Sequence, residues 1–256
     1  MDLTHSKLFG GVAILDSLVD SYKYAPHWHD EFVFAVYRGG AKRYRCARHT
    51  GTATSGDVLV IAPRTLHSAA TFDETGWNYR ALYFDPVQLA QATGLSVAKL
   101  DIRFRDFTHI SQKPGLAIKL FEALDAGNET ELALSEWLLS IPAECDAGTN
   151  AAPPERLANV YDRILDDPLS PMKLAELSSL AGITPEHLSR AFRRAYGVSP
   201  FQLVTAARIH AACRHIRQGK PLADAAYLAG FSDQSHMNRW IKRSYGISPR
   251  FLARDQ

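Results

Sequence analysis

The sequence predicts two domains of different class: a strand-rich barrel or sandwich, then an all-α domain built from two copies of a helix-turn-helix unit. Three observations carry this. Residues 173–200 (KLAELSSLAGITPEHLSRAFRRAYGVSP) and 222–249 (LADAAYLAGFSDQSHMNRWIKRSYGISP) are copies of one another, offset by 49 positions. Between residues 11 and 85, short runs rich in Val, Phe and Tyr alternate with turn residues. Charge divides along the same line: residues 1–153 hold 14 Lys and Arg against 18 Asp and Glu, net −4, while 154–256 hold 15 against 9, net +6. A basic excess confined to the repeated part is the electrostatic footprint expected of a nucleic-acid-binding domain.

Each copy reads as helix, sharp turn, helix. In the first, Leu174, Leu177 and Leu180 form one stripe, and Gly182 supplies a residue free to take positive φ. Thr184-Pro185 then gives an N-cap followed by proline at the first helical position. The helix so begun buries Leu188, Ala191, Phe192 and Ala195, recurring at i, i+3, i+4 and i+7, and turns Glu186, Ser189, Arg190, Arg193 and Arg194 to solvent. In the second copy Gly230 turns, Ser232 caps, and Met237, Trp240, Ile241 and Tyr245 pack. Gln234, Ser235, Asn238, Arg239 and Lys242 face out. Arginine pairs bidentately with guanine, and glutamine or asparagine with adenine. Each second helix is therefore a candidate reader of a major groove. A bundle whose solvated face merely carries arginine is the alternative for one such helix, and the duplication weighs against it. Between the copies, Ser199-Pro200 opens a helix reaching about residue 218, roughly 28 Å at ~1.5 Å per residue. That is close to the ~34 Å between successive major grooves on one side of a duplex.

Gly230-Phe231-Ser232-Asp233-Gln234-Ser235-His236, then Arg239 and Lys242-Arg243, and the closing Tyr245-Gly246-Ile247-Ser248-Pro249 resemble the DNA-binding domain of the AraC-type transcription regulators over residues 154–253. The resemblance implies a partner, double-stranded DNA. It also implies base-contacting positions at Glu186, Ser189 and Arg190 in the first unit, and at Gln234, Ser235, Asn238 and Arg239 in the second. Glu186 departs from the basic character of that face, since a carboxylate facing DNA is repelled by phosphate unless it accepts from a cytosine amine. RNA polymerase as a further partner, and a lean toward activation, follow from the resemblance alone.

In the first half, the expected order is a strand over 31–37, a turn at Arg38-Gly39-Gly40, an alternating strand over 42–48, a turn at Ser55-Gly56-Asp57, an apolar strand over 58–62 and a closing strand over 77–84. Pro26-His27-Trp28-His29, Gly56-Asp57 with Pro63, His67, and the run Trp77-Asn78-Tyr79-Arg80 to Leu82-Tyr83-Phe84-Asp85-Pro86 resemble the cupin-like effector-binding domain that AraC-type regulators carry ahead of their DNA-binding part. After Pro86 the pattern becomes helical. Leu116, Leu120 and Leu124, then Leu132, Leu134, Leu138 and Leu139, predict two helices separated by Gly127-Asn128, either covering the barrel or joining two protomers. The family resemblance favours a homodimer. Residues 144–153, small and proline-bearing without periodicity, read as a linker, which sets the domains at 1–143 and 154–256.

His27 and His29 at i and i+2 share a face of an extended chain with Glu31, and His67 could approach from another strand. Three imidazoles and a carboxylate would suit Fe, Mn or Zn, the basis of an alternative reading as a cupin metalloenzyme fused to DNA-binding repeats. The spacing departs from enzymatic cupins, with Glu31 only two residues past His29 and His67 four past Pro63. The expectation is therefore no metal and no cofactor, and a small-molecule effector pocket in the barrel with His27, His29, Glu31, Tyr44, His67, Trp77, Tyr79 and Tyr83 as candidate lining. An effector-independent DNA-binding protein whose barrel only dimerises is the other alternative. No nucleophile triad or phosphate-cradling glycine loop is present, so no catalysis is expected. Cys46, Cys145 and Cys213 form neither a disulfide framework nor a zinc pattern, and no apolar run approaches ~18 residues. A reduced, cytoplasmic setting without membrane partners is expected.

Overall fold

The first half forms strands β1 (Asp2–Ser6), β2 (Val12–Val19), β3 (Lys23–His27), β4 (Phe32–Cys46), β5 (His49–Thr54), β6 (Val58–Ile61), β7 (His67–Thr71) and β8 (Trp77–Phe84), with β-branched and aromatic residues running together in β4, β6 and β8. The computed structural model describes residues 2–6, 12–19, 22–46, 49–72, 76–104, 107–111, 114–124, 130–141 and 153–252. The linker expected at 144–153 lies outside these except for Pro153, as do Gly127-Asn128 and Cys145. By its contacts the chain divides into one unit of Met1–Tyr22, His29–Thr65 and Ala69–Thr149, and another of Lys23–Trp28, Leu66–Ser68 and Asn150–Gln256.

The first unit is a cupin-like sheet with flanking helices. Its main path runs β1-β2-β8-β4-β6-β9, where β9 is Phe107–Ile110 and pairs antiparallel with β6. This strand was not expected within the helical stretch, and four residues are too few for periodicity to reveal. The helices are α1 (Pro86–Thr93), α2 (Val97–Arg103), α3 (Pro114–Leu124) and α4 (Thr130–Ser140). Asp85 caps α1 by accepting from the Val87 amide, with Pro86 at the first helical position. One face of the sheet, carrying Val12, Phe32, Phe34, Val36, Val58, Val60, Leu82 and Phe84, packs under Leu89, Leu100, Leu120, Leu134, Trp137 and Leu138 of the helices. Trp137 Nε1 donates to the Leu116 carbonyl oxygen at 2.7 Å, which ties α4 to α3.

Arg38-Gly39-Gly40 does not turn the chain. β4 continues through it as a single 15-residue strand, and its pairing with β8 slips between Tyr37 and Gly39. Such an irregularity inserts one residue and reverses which face the following side chains occupy. Tyr37 faces Tyr79, whereas Gly40, not an odd-numbered residue, faces Trp77. Gly40 has φ +71, and a Cβ there would meet the Gly76 carbonyl oxygen at 2.1 Å, so the close crossing requires glycine.

The second unit comprises α5 (Glu155–Asp166), α6 (Leu174–Ala181), α7 (Pro185–Tyr196), α8 (Pro200–Arg217), α9 (Leu222–Leu228), α10 (Gln234–Tyr245) and α11 (Pro249–Leu252). Two cores form, both drawing on α8. Leu203, Val204, Ala206 and Ala207 pack with α5, α6 and α7 around Leu157, Leu177, Leu188 and Phe192. Ile209, Ala212, Cys213 and Ile216 pack with α9 and α10 around Ala225, Ala226, Met237 and Ile241. Leu180 is 47% exposed, contrary to the expected stripe of Leu174, Leu177 and Leu180. Ala181 and Ser178 are buried in its place, so the true stripe is 174, 177, 178 and 181. Leu228 of the second copy is likewise open while Ala229 is buried. Ser199 starts α8 with a reciprocal capping box, its hydroxyl accepting from the Gln202 amide while Gln202 Oε1 accepts from the Ser199 amide. Ser199→Ala is expected to destabilise the helical unit by about 1 kcal/mol, read as a lower urea midpoint for its transition with an unchanged slope.

Candidate nucleic-acid interface and effector site

The local sequence of each turn sets where its second helix begins. In the first copy Thr184 Oγ1 accepts from the His187 amide at 3.3 Å and caps α7. Buried Leu188 and Phe192 hold the inner face, leaving Glu186, Arg190, Arg193 and Arg194 exposed and Ser189 half-buried. Glu186 sits in the first turn, where a carboxylate complements the helix dipole. Positions 186, 189, 190 and 193 fall on one face, so the basic surface is continuous.

In the second copy the cap is Asp233, not Ser232 as expected. Asp233 Oδ1 accepts from the His236 amide at 2.7 Å, and Ser232 instead donates its hydroxyl to Asp233 Oδ2 at 3.0 Å. Asp233 takes the two bonds on separate carboxylate oxygens. The relay continues inward. Trp240 Nε1 can only donate, and it lies 2.9 Å from His236 Nε2, so a neutral His236 carries its proton on Nδ1, 3.1 Å from Ser232 Oγ. Four side chains thus brace the first turn of α10 and fix Gln234 and Ser235, both exposed, at its tip. Arg239 and Lys242 are exposed one and two turns further along; Asn238 is half-buried, and its Oδ1 has no hydrogen-bond partner among the described residues.

The turn before α10 is anchored to α8. Arg208 Nε donates to the Pro168 carbonyl oxygen at 2.9 Å, and its Nη1 to the Gly230 carbonyl oxygen at 3.1 Å. Gly230 has φ +74, and a Cβ would press on both Arg208 and Leu169 at 3.3 Å. One guanidinium therefore joins the segment leading into the first unit of the repeat to the turn of the second.

The expected effector residues separate into groups. Trp77 and Tyr79 are buried on the sheet face opposite the helices, together with Leu15, Ser17, Ala35, Tyr37, Leu59 and Ala81; Tyr83 lies on the same face, half-buried. Tyr37 and Tyr79 stack at 5.7 Å. Tyr44, on the β4–β5 hairpin, packs its ring on Phe107 at 5.0 Å and its hydroxyl lies 2.9 Å from His109 Nδ1, while His109 Nε2 is 3.2 Å from Asp57. Burial first, then the neighbouring Cys46 and Asp57, push the Tyr44 hydroxyl up to about 12, so it remains a proton donor at neutral pH. His29 and Glu31 are in the first unit, where His29 Nδ1 is 2.9 Å from the Glu31 carbonyl oxygen. His27 and His67 belong to the second, with ring centroids 4.3 Å apart, His27 4.7 Å from the Tyr245 ring, and His27 Nδ1 2.8 Å from the Ala25 carbonyl oxygen. Among the described residues no three or more His, Cys, Asp or Glu side chains come close enough to hold a metal ion.

Sequence reasoning missed three residues of the buried face: Ser17, Tyr37 and Lys42. The irregularity in β4 turns Lys42 toward that face, its ammonium 5.0 Å from the Tyr37 ring centroid and 5.2 Å from that of Tyr79. Burial lowers the ammonium to about 8, only partly offset by Cys46. Alternation in the sequence carried no signal of this, because the phase reverses where glycines lie.

The Asp233 cap has a defined acid response. The His236 amide first, then the Ser232 hydroxyl, hold its carboxyl below the usual carboxylate value, with the Arg239 guanidinium adding favourable charge. A carboxyl depressed in the folded state contributes stability above its unfolded pKa and loses it as pH falls through the folded one. Asp233→Ala is therefore expected to lower the melting temperature of the helical unit at pH 7, with the difference from the parent protein shrinking below about pH 4. A difference constant from pH 7 to pH 3 would contradict this.

Comparison with known proteins agrees with the geometry. A protein-family model described as "AraC-like ligand binding domain" matches residues 9–141, and one described as "Helix-turn-helix domain" matches 177–255. The chain is 27% identical over 224 residues to the "Uncharacterized HTH-type transcriptional regulator YbfI" of Bacillus subtilis, covering 84% of this chain and 82% of that one. It is 37% identical over 79 residues to the "Probable transcriptional regulator LumQ" of Photobacterium leiognathi, covering 30% and 32%. A structure of ToxT from Vibrio cholerae superimposes with a TM-score of 0.51 over 98% of each chain at 12% identity, a likeness of fold. With both halves accounted for by sequence and by structure, the chain belongs to the AraC family of DNA-binding transcription regulators, carrying an N-terminal ligand-binding domain.

Proposed function

We propose that α7 and α10 read two successive major-groove segments of double-stranded DNA, and that a small organic effector held on the buried aromatic face of the first unit alters this binding. The observation that carries the reading is the attachment of both helices to α8, each with its apolar face buried and its polar, basic face open. Contacts to bases are assigned to Ser189, Arg190, Gln234, Ser235, Asn238 and Arg239, with Glu186 at the edge of the first helix. Contacts to phosphates are assigned to Arg193, Arg194 and Lys242. Phosphate contacts set register and affinity, whereas base contacts set sequence. Trp77, Tyr79 and Tyr83 are the effector-lining residues best supported, since all three share the face that also holds Tyr37. The effector acts by binding two conformational states with different affinity, which is the only way a ligand shifts an equilibrium. The domains divide at 143 and 154, the protein acts in the cytoplasm, and it catalyses no reaction. A homodimer through α3 and α4 is supported by Leu132 and Leu139, one heptad apart on α4 and 64% and 47% exposed, with Ile118 of α3 56% exposed.

Arg190→Ala and Arg239→Ala are each expected to weaken binding to the preferred operator by about 1–3 kcal/mol and to relax selectivity at one base pair. Arg193→Ala should instead weaken all sequences alike and flatten the salt dependence. Binding isotherms over a set of single-base operator variants check this, and uniform losses for Arg190 and Arg239 would confine both to phosphate. For the dimer, a Leu132→Glu, Leu139→Glu double variant should sediment as a monomer under conditions where the parent chain sediments as a dimer. Unchanged sedimentation would place the interface elsewhere.

A further inference from the structure

Among the described residues, the buried face of the first unit holds a cation without an anion beside it. Lys42 reaches the stacked pair of Tyr37 and Tyr79, and among the described residues no carboxylate or carbonyl oxygen partners its ammonium. Ring faces return only part of the hydration that a desolvated ammonium gives up. Beside the same rings is a second such group: Ser17 is opposite Tyr79 in the β2–β8 register, is 2% exposed, and its hydroxyl has no hydrogen-bond partner among the described residues. Buried hydroxyls are otherwise nearly always satisfied. Trp77, 1% exposed, extends the aromatic surface one strand position further. A charge and a hydroxyl, both without partners among the described residues and both beside flat apolar walls, are complementary to a small molecule with an anionic end and an apolar body.

We propose that this face is a receptor for a small organic carboxylate, its anionic end held by Lys42 and Ser17 and its apolar or planar body against Tyr37, Tyr79 and Trp77. The inference rests on the effector reading above and supplies the chemical class of the effector. A monoanion fits better than a phosphate, because among the described residues Lys42 is the one cation directed to these rings. Arg80 points to the helix-covered face, where it pairs with Asp16 at 2.6 Å and lies over Phe121, and Arg38 stacks on the same Phe121 ring. Arg43 and Arg45 alternate with Lys42 and are exposed. The lowered proton affinity of Lys42 agrees with an amine in a site short of counter-charge, and carboxylate binding should raise it.

The test titrates the full-length protein with sodium benzoate, phenylacetate and hexanoate, each beside its neutral primary amide, by calorimetry and by melting temperature at pH 7. At least one carboxylate is expected to bind tenfold or more tightly than its amide, with the preference fading as pH rises past about 8–9. Lys42→Met, which keeps the stem and removes the charge, should abolish the preference, and Ser17→Ala should reduce it severalfold. Amides binding as tightly as their carboxylates, a preference that survives Lys42→Met, or no carboxylate binding at all would each overturn the proposal. The comparison in the parent protein stands even if a variant does not fold. Operator binding measured with the same ligands separates the two readings. Carboxylates that bind without changing DNA affinity would uphold the anion site and refute the regulatory role. Amides that bind and change DNA affinity would do the reverse.

Discussion

The second helices of both repeated units, α7 and α10, depend on a single element, α8, which buries residues in two cores at once. Its first half contributes Leu203, Val204, Ala206 and Ala207 to one, and its second half contributes Ile209, Ala212, Cys213 and Ile216 to the other. Close-packed interiors tolerate little displacement, so the 18 residues of α8 act as a spacer of about 27 Å at ~1.5 Å per residue. Arg208 adds a polar tie to the same spacer by bridging Pro168 and Gly230. The repeat is a structural device more than a redundancy: neither copy buries its apolar face without this shared helix.

The two copies reach the same geometry with different local chemistry. Thr184 caps α7 with one hydroxyl, while α10 is started by a relay from Trp240 through His236 and Ser232 to Asp233. The relay leaves Gln234 and Ser235 on a braced first turn. A rigid tip matters for reading bases, because bidentate hydrogen bonds require the side chain's root to be fixed before contact.

In the first unit a local irregularity has a consequence of comparable size. The slip between Tyr37 and Gly39 lets β4 hold Tyr37 against Tyr79 before it and direct Lys42 to the same rings after it. Without that extra residue Lys42 would lie on the other face, and the aromatic surface would carry no charge. The charge carried by this aromatic face therefore depends on a backbone feature as much as on side-chain identity.

Duplication, charge division, the packing stripe of each second helix and the helix between the copies were legible in the sequence, because helical periodicity and capping are local properties. The exposed residues of α7 and α10 followed, apart from the half-buried Ser189 and Asn238. Strand content and the identity of Trp77 and Tyr79 as aromatic candidates were also legible. Strand phase was not: adjacent glycines read equally well as a turn or as a passage through a strand, and one inserted residue reverses all later side chains. Leu180 and Ser232 were misread for a related reason. Which of two adjacent residues fills a groove or takes a cap is settled by what packs opposite, here Ala181 with Ser178, and the two-oxygen acceptor Asp233. The sequence by itself thus determined the two-domain division and the paired helix-turn-helix units, through patterns set within a few residues. Tertiary structure alone decided which charge meets which ring, since that depends on pairing between strands far apart in the chain.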